Sequence, residues 1–205
     1  MKNLKGAIRK SEEGFTLLEL MVSFLIIGIL VLIIAGAMRL SLNIVDKGEA
    51  KINSLERTRT SLKIVTSQIQ SQFPLAFEED GERKFYFQGE DKTMQLATNY
   101  SIWGGQRGYV LVRYKVETDE SGKEMLSASE NIIGMDNIKE TTLFKSLDKI
   151  YFEYFFKDPT EEEGEWIDEW TDNFKIPEKI KLHLEAKGKD FSMIIPVRAN
   201  GALTK

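Results

Sequence analysis

The chain has 205 residues, of which 42% are hydrophobic and 29% charged, and its formal net charge is −4. It contains no cysteine and one histidine, so disulfides, thiol catalysis and cysteine- or histidine-rich metal sites are excluded. A Ser-His-Asp triad could use only His183. The acidic balance argues against a nucleic-acid partner, because such proteins need a basic face.

A charge-free apolar block occupies residues 20–38 near the amino terminus. At about 1.5 Å per helical residue it would extend roughly 28 Å, which matches a hydrocarbon core of ~30 Å. Basic residues precede the block, so the positive-inside rule predicts a cytoplasmic amino terminus and a far-side location for the rest of the chain. These basic residues are Lys2, Lys5, Arg9 and Lys10.

A secretory signal peptide is an alternative interpretation of this block, because Ala35-Gly36-Ala37 fits an A-x-A cleavage site. The block is long for a signal peptide, and Glu19 would be unusual there. A charged side chain within a membrane costs about 2.5–3.5 kcal/mol on insertion scales. By position alone, Glu19 is either an interfacial acid that reaches the headgroups or a charge that is neutralised in an assembly.

The segment Gly14-Phe15-Thr16-Leu17-Leu18-Glu19-Leu20-Met21-Val22 closely resembles the class III signal of type IV pilins and type II secretion pseudopilins. The resemblance implies that a prepilin peptidase cuts between Gly14 and Phe15 and that Phe15 is then N-methylated. It also implies that Glu19 pairs with the new amino terminus of a neighbouring subunit. Such a pair is favourable in a low-dielectric bundle, whereas an unpaired Glu19 is costly, so we expect Glu19 to set the register of assembly.

Helical periodicity continues beyond the block and predicts one long helix over residues 17–72, ended by Pro74. The second part carries an apolar stripe that we expect to pack on a core. We expect Gly28, Gly36 and Gly48 to be points where the helix can bend or melt. The stripe consists of Ile52, Leu55, Leu62, Val65, Ile69 and Phe73.

Alternating patterns and turn residues then predict a β-rich region. The predicted strands are residues 84–88, 93–97, 109–116, 125–129, 150–156, 180–186 and 191–197. We therefore predict an α+β fold, in which a long membrane-spanning helix continues into an amphipathic helix packed on an antiparallel, β-rich domain. The predicted organisation is a leader at 1–14, a transmembrane and filament-core helix at 15–40, an amphipathic helix at 41–73 and a periplasmic domain at 78–205.

A second resemblance covers residues 148–199, where an aromatic strand, an acidic loop, Trp166, Trp170 and Ile176-Pro177 precede a final hairpin. This order is similar to that of the J-type minor pseudopilins, although Ile176 stands where leucine is common. The resemblance implies a subunit in the bacterial inner membrane that assembles with other minor and major pseudopilins. Together they would form the pseudopilus tip and prime filament assembly for protein export. Residues 78–147 carry no recognised motif.

No motif predicts an enzyme or a cofactor. The acidic residues within 161–172 could bind calcium, but they lack an EF-hand pattern, so we expect a solvated loop and no metal. The glycines within 103–108 are not spaced as a nucleotide-binding loop. Residues 146–149 match S-x-x-K without the companion motifs of that enzyme class.

The single histidine and the aromatic residues need separate interpretation. His183 alternates with Leu182 and Leu184, so we expect it on an exposed polar face. Aromatic residues at 151–156 and the two tryptophans could form a partner surface or fill the core, and we favour the core. The alternatives to a secretion pseudopilin are a minor pilin of a type IV pilus, acting in adhesion, motility or DNA uptake, and a membrane-anchored periplasmic binding protein or enzyme.

Overall fold

The computed structural model describes residues 14–104, 108–133, 137–158 and 163–199. Within these ranges one helix is followed by eleven strands, and every strand pairing is antiparallel. This confirms the predicted α+β class with its long amino-terminal helix. The elements are α1 (Leu17–Gln70), β1 (Ala76–Glu79), β2 (Glu82–Phe85), β3 (Gln88–Gly89), β4 (Thr93–Thr98), β5 (Val110–Thr118), β6 (Glu124–Ile132), β7 (Lys139–Leu147), β8 (Lys149–Phe156), β9 (Glu165–Ile167), β10 (Lys179–Ala186) and β11 (Lys189–Pro196).

The chain divides into two compact units, and the boundary in the sequence falls between Ser54 and Leu55 within α1. In the first unit the described apolar side chains are exposed along the helix, including those between residues 20 and 38. The helix passes through Gly28, Gly36 and Gly48 without interruption, so it is not melted at these points, and the bending expected there stays a prediction. Continuous i to i−4 hydrogen bonding maintains a helix through isolated glycines at a modest energetic cost.

The second unit is built from three antiparallel sheets and the last part of α1. The five-stranded sheet has the order β3-β4-β5-β6-β7, the four-stranded sheet has the order β11-β10-β8-β9, and β1 pairs with β2. Alternate residues of these strands share a hydrophobic core with the helix. The largest fully buried side chains are Tyr114, Tyr154, Phe87, Phe152, Ile69, Met94, Leu96, Leu126, Ile150, Ile180, Leu182 and Ile195.

The predicted apolar stripe of the helix is only partly confirmed. Val65 and Ile69 are fully buried, and Leu62 packs against the core. Ile52 and Leu55, by contrast, are 57% and 56% exposed, so their expected core packing was wrong. The spacing of apolar residues identifies a helix face, but it does not show where along the helix that face meets a partner.

Strands with clear alternation were predicted well, since β4, β5, β6, β8, β10 and β11 overlap the expected segments. The expected strand at 84–88 is only partly confirmed, because residues 84–85 lie in β2, residue 88 lies in β3, and the strand is broken between them. The chain leaves β2 after Phe85, and the Tyr86 N–H donates a hydrogen bond to the Leu75 carbonyl at 3.0 Å. Three strands, β1, β7 and β9, were not predicted, because they are short or irregularly patterned.

Candidate functional site

The segment around the expected cleavage point lies at the start of α1. Gly14 and Phe15 precede the helix, and the Phe15 side chain is 79% exposed. Thr16 caps the helix, because its hydroxyl oxygen accepts a hydrogen bond from the Glu19 N–H at 3.3 Å. In return, the Glu19 Oε2 accepts hydrogen bonds from the Thr16 N–H at 2.9 Å and from its hydroxyl at 3.0 Å. This reciprocal arrangement is a capping box.

The capping box gives Glu19 a structural role that our sequence interpretation missed. The signal was present, because Thr16 and Glu19 stand at the T-x-x-E spacing before an apolar run. Helix capping alone therefore provides one reason for an acid at this position. An amide side chain could make the same capping bonds, so capping does not require the negative charge of Glu19.

The apolar part of α1 is long and apolar enough to cross a membrane, and it is the one such helix in the described part of the chain. None of its most apolar stretch is buried by the chain itself. A soluble protein would bury such a surface, so lipid or other protein helices are expected to cover it. The basic residues of the expected leader lie outside the described residues.

The aromatic residues in and near the four-stranded sheet divide between its two faces. Phe152 and Tyr154 of β8 are buried in the core, as is Trp170, whose indole N–H donates to the Asp172 carbonyl at 2.9 Å. Phe155 and Trp166 lie on the opposite face and remain partly exposed, with their rings 5.4 Å apart. The preference for core packing therefore holds for the first group and not for the second.

His183 lies on this outer face but is only 8% exposed, so the prediction of an exposed and unpartnered histidine was wrong. Its Nε2 lies 2.7 Å from the Glu153 Oε2, and its ring stacks on Tyr151 at 4.2 Å. Alternation along β10 places the His183 side chain on the outer face. It is nevertheless covered, because β10 lies between β8 and β11 and side chains of both neighbouring strands pack beside it.

Glu153 receives a second bond from the Lys181 Nζ at 2.7 Å. Partial burial acts to raise the pKa of the Glu153 carboxyl, but the hydrogen bonds from Lys181 and His183 outweigh it and lower the pKa overall. Lys181 also lies over the Trp166 ring, 4.0 Å from its centroid. The outer face is thus a connected set of ionic and aromatic contacts across three strands.

The described residues contain no group of three or more histidine, aspartate or glutamate side chains placed to hold a metal ion. An open pocket of about 270 Å³ is lined by Glu90, Asp91, Asp168 and Glu169. Two of these carboxylates belong to the acidic loop at 161–172 that was considered for calcium, and residues 161–162 of that loop lie outside the described ranges. Residues 105–107 of the glycine-containing segment also lie outside them.

A buried polar cluster joins the helix to the five-stranded sheet, and sequence reasoning did not find it. Glu130 of β6 is 2% exposed and accepts hydrogen bonds from the Gln68 side-chain amide at 2.6 Å, the Ser101 hydroxyl at 2.7 Å and the Ile102 N–H at 2.8 Å. The Tyr114 hydroxyl donates to the Gln68 side-chain carbonyl. Burial raises the pKa of the Tyr114 hydroxyl well above its usual range, and the nearby negative charge of Glu130 raises it further.

Comparison with known proteins supports the interpretation of both parts of the chain. Residues 9–35 match the family model of the prokaryotic N-terminal methylation motif. The chain is also similar to type II secretion system protein J of Xanthomonas campestris pv. campestris, with 24% identity over 198 residues. Both comparisons support a J-type pseudopilin. The second alignment covers 92% of this chain and 93% of the relative, so the similarity includes residues 78–147, where no motif had been recognised.

These matches also bear on the apolar helix. A prepilin methylation motif overlaps the part of α1 that is long enough to span a membrane. The combination fits a protein anchored in the inner membrane. It also supports a pseudopilin-like or pilin-like role in place of a soluble globular one.

Proposed function

We propose that this chain is a minor pseudopilin of a type II secretion system. It assembles with other minor pseudopilins at the pseudopilus tip and primes the filament for protein export. The observation that supports this most strongly is the alignment with a protein J over almost the full length of both chains. The function is one of assembly, and we propose no catalytic activity and no cofactor.

The precursor is cleaved by a prepilin peptidase between Gly14 and Phe15, and Phe15 is then N-methylated. The helix begins at Leu17, so the bond to be cut precedes regular structure and both flanking residues are exposed. A segment that precedes the helix is suited to proteolysis, because its backbone is not committed to helical hydrogen bonds. Cleavage at this point leaves the whole apolar helix on the mature chain.

Residues 15–40 anchor the mature chain in the inner membrane and contact lipid. The amino terminus faces the cytoplasm, and residues 78–205 form the periplasmic domain that follows the amphipathic segment at 41–73. The exposed apolar side chains of the helix support a location in lipid or beside other helices. Glu19 then has two functions, which are to cap its own helix and to pair with the methylated amino terminus of a neighbour.

Deletion and complementation of the gene test this function. We expect deletion to leave exported substrates in the periplasm and the wild-type gene to restore their release into the medium. The other candidate with the same leader, a minor pilin, predicts normal secretion together with a loss of surface pili or of DNA uptake. A membrane-anchored binding protein predicts neither defect. Normal secretion in the deletion strain would therefore contradict the proposal.

A further inference from the structure

The edge strands of the two large sheets differ in how they are protected. Edge strands expose unpaired backbone groups, and proteins usually protect them by shortness, bulges or cover. β3 has two residues, one of which bridges to Trp170, and β9 has three residues. The pairing of β7 with β6 contains register shifts, and the Leu143 carbonyl of β7 accepts a hydrogen bond from the Ser61 hydroxyl at 2.6 Å.

β11 is not short, bulged or covered by another described strand, and its charged residues, Lys189 and Asp190, occupy only its first two positions. It is eight residues long, its register with β10 is regular throughout, and no other described strand pairs with it. Proline occurs only at its last position, Pro196, so most of the strand could accept a partner. It is therefore the edge of the described fold that is best suited to strand addition.

The turn before β11 determines which backbone groups face outward. Lys187 and Gly188 have φ of 54° and 70°, as in a two-residue type I′ turn, so the residues flanking the turn form a hydrogen-bonded pair. At the other end of β11, the Val197 N–H donates to the Glu178 carbonyl at 2.8 Å. This bond gives the same alternation of hydrogen-bonded and non-hydrogen-bonded pairs along the two strands as the turn does. The exposed residues whose N–H groups point away from β10 are therefore Asp190, Ser192 and Ile194.

Side chains on β11 also favour a partner strand. Phe191 and Ile194 are 50% and 54% exposed and lie on opposite faces, because they are an odd number of residues apart. A strand added beside β11 would cover both while pairing the outward backbone groups. Its chemistry is constrained, since it needs apolar residues beside Phe191 and Ile194 and a basic or hydroxyl residue beside Asp190.

We propose that β11 is a docking edge for an extended strand from a different pseudopilin subunit. This inference rests on the proposed function, which supplies the neighbouring subunits and the larger helix–helix contact that a short strand pairing needs. A second copy fits less well. If two copies paired antiparallel through β11, only about residues 191–195 could pair without placing Lys189 and Asp190 beside apolar residues, so the contact would be short. Two copies anchored in one membrane also share one orientation, which limits how their β11 strands can be placed in opposite directions.

The test co-expresses the full-length chain with the other minor pseudopilins of the same secretion system and purifies the complex in detergent. Ser192→Pro removes one outward N–H and places the proline ring on the docking side, while the bonds to β10 are unaffected. We expect this variant to bind at least about tenfold more weakly, equivalent to ~1.4 kcal/mol. Ser192→Thr keeps the N–H and should bind within about twofold of wild type.

Hydrogen exchange on the wild-type complex provides a readout that does not depend on folding of a variant. The amides of Asp190, Ser192 and Ile194 should exchange at least about tenfold more slowly in the complex than in the chain alone. Unchanged exchange, or full binding by Ser192→Pro, would overturn the inference and leave the proposed function standing. Failure of the wild-type chain to bind any minor pseudopilin would contradict both.

A disulfide test addresses the second copy directly, because the chain has no cysteine of its own. In the favoured self-pairing register, residue 193 faces its own copy at a Cα separation of about 4.5 Å, which a disulfide can bridge. We expect Met193→Cys to remain monomeric under mild oxidation. An efficient disulfide-linked homodimer would identify a second copy as the occupant and overturn the proposal.

Discussion

Replacement of Glu19 by glutamine separates the two functions that we assign to this residue. Glutamine keeps the side-chain oxygen that accepts the Thr16 N–H, a hydrogen bond of 2.9 Å, but it removes the negative charge. Alanine removes both. A side-chain capping bond contributes about 1 kcal/mol. Without the negative charge of Glu19, the positively charged amino terminus of the neighbouring subunit has no partner within the membrane. An uncompensated charge there costs about 2.5–3.5 kcal/mol, which is roughly a hundredfold in the equilibrium constant for assembly.

The capping loss is therefore the smaller effect, and the loss of charge should dominate. We expect Glu19→Gln to abolish secretion nearly as completely as Glu19→Ala, with membrane insertion intact for both. Thr16→Ala is the matched control, because it removes the capping hydroxyl and keeps the charge, and it should retain most function. Secretion into the medium and co-purification of partner subunits measure the effect in a strain that lacks the chromosomal copy.

The contrary result is equally clear. If Glu19→Gln supports normal secretion while Glu19→Ala and Thr16→Ala both fail, Glu19 acts by capping its own helix. The pairing of Glu19 with a neighbouring amino terminus would then be refuted.

Three further predictions concern the second unit, and urea unfolding of the full-length chain in detergent measures each of them. Glu130→Ala leaves one buried and two part-buried donors without their acceptor and should lower the free energy of unfolding by about 2–4 kcal/mol, whereas a loss below ~0.5 kcal/mol would contradict the network. Gly89→Ala places a Cβ closer than 3.0 Å to the Tyr154 ring and should lower the free energy of unfolding by about 1–3 kcal/mol. Gly122→Ala is its control for backbone strain alone, because Gly122 has a positive φ but open space around the added Cβ. The folded-state pKa of the Glu153 carboxyl lies below its ordinary value, so its contribution to the free energy of unfolding is present above that ordinary value and is lost as pH falls through the folded-state pKa. The stability difference between wild type and Glu153→Gln should therefore shrink on acidification, and a constant difference would refute the assignment.

Much of the fold was predictable because it depends on local pattern. The apolar block and the stripe through Val65 and Ile69 identified α1, and alternation identified β5, β8 and β10. β7 escaped prediction because its sequence does not alternate cleanly and its pairing with β6 contains register shifts. Local sequence also carried the T-x-x-E capping signal at Thr16, which was available but not used.

The remaining features depend on strand order and on distant partners. His183 is covered by side chains of neighbouring strands, so its burial could be known only after β10 was placed between β8 and β11. The Glu130 cluster combines a helix residue, a loop and two strands, and no spacing in the sequence connects them. The exposed edge of β11 likewise follows from topology, because any strand could have paired beside it.

Mass spectrometry of the amino terminus of the mature protein, purified from cells with an active prepilin peptidase, tests the central claim most directly. The account predicts a chain that begins at Phe15 and carries one added methyl group on its α-amine. An intact Met1, or a chain that begins at Met38 after cleavage at Ala37, would contradict it.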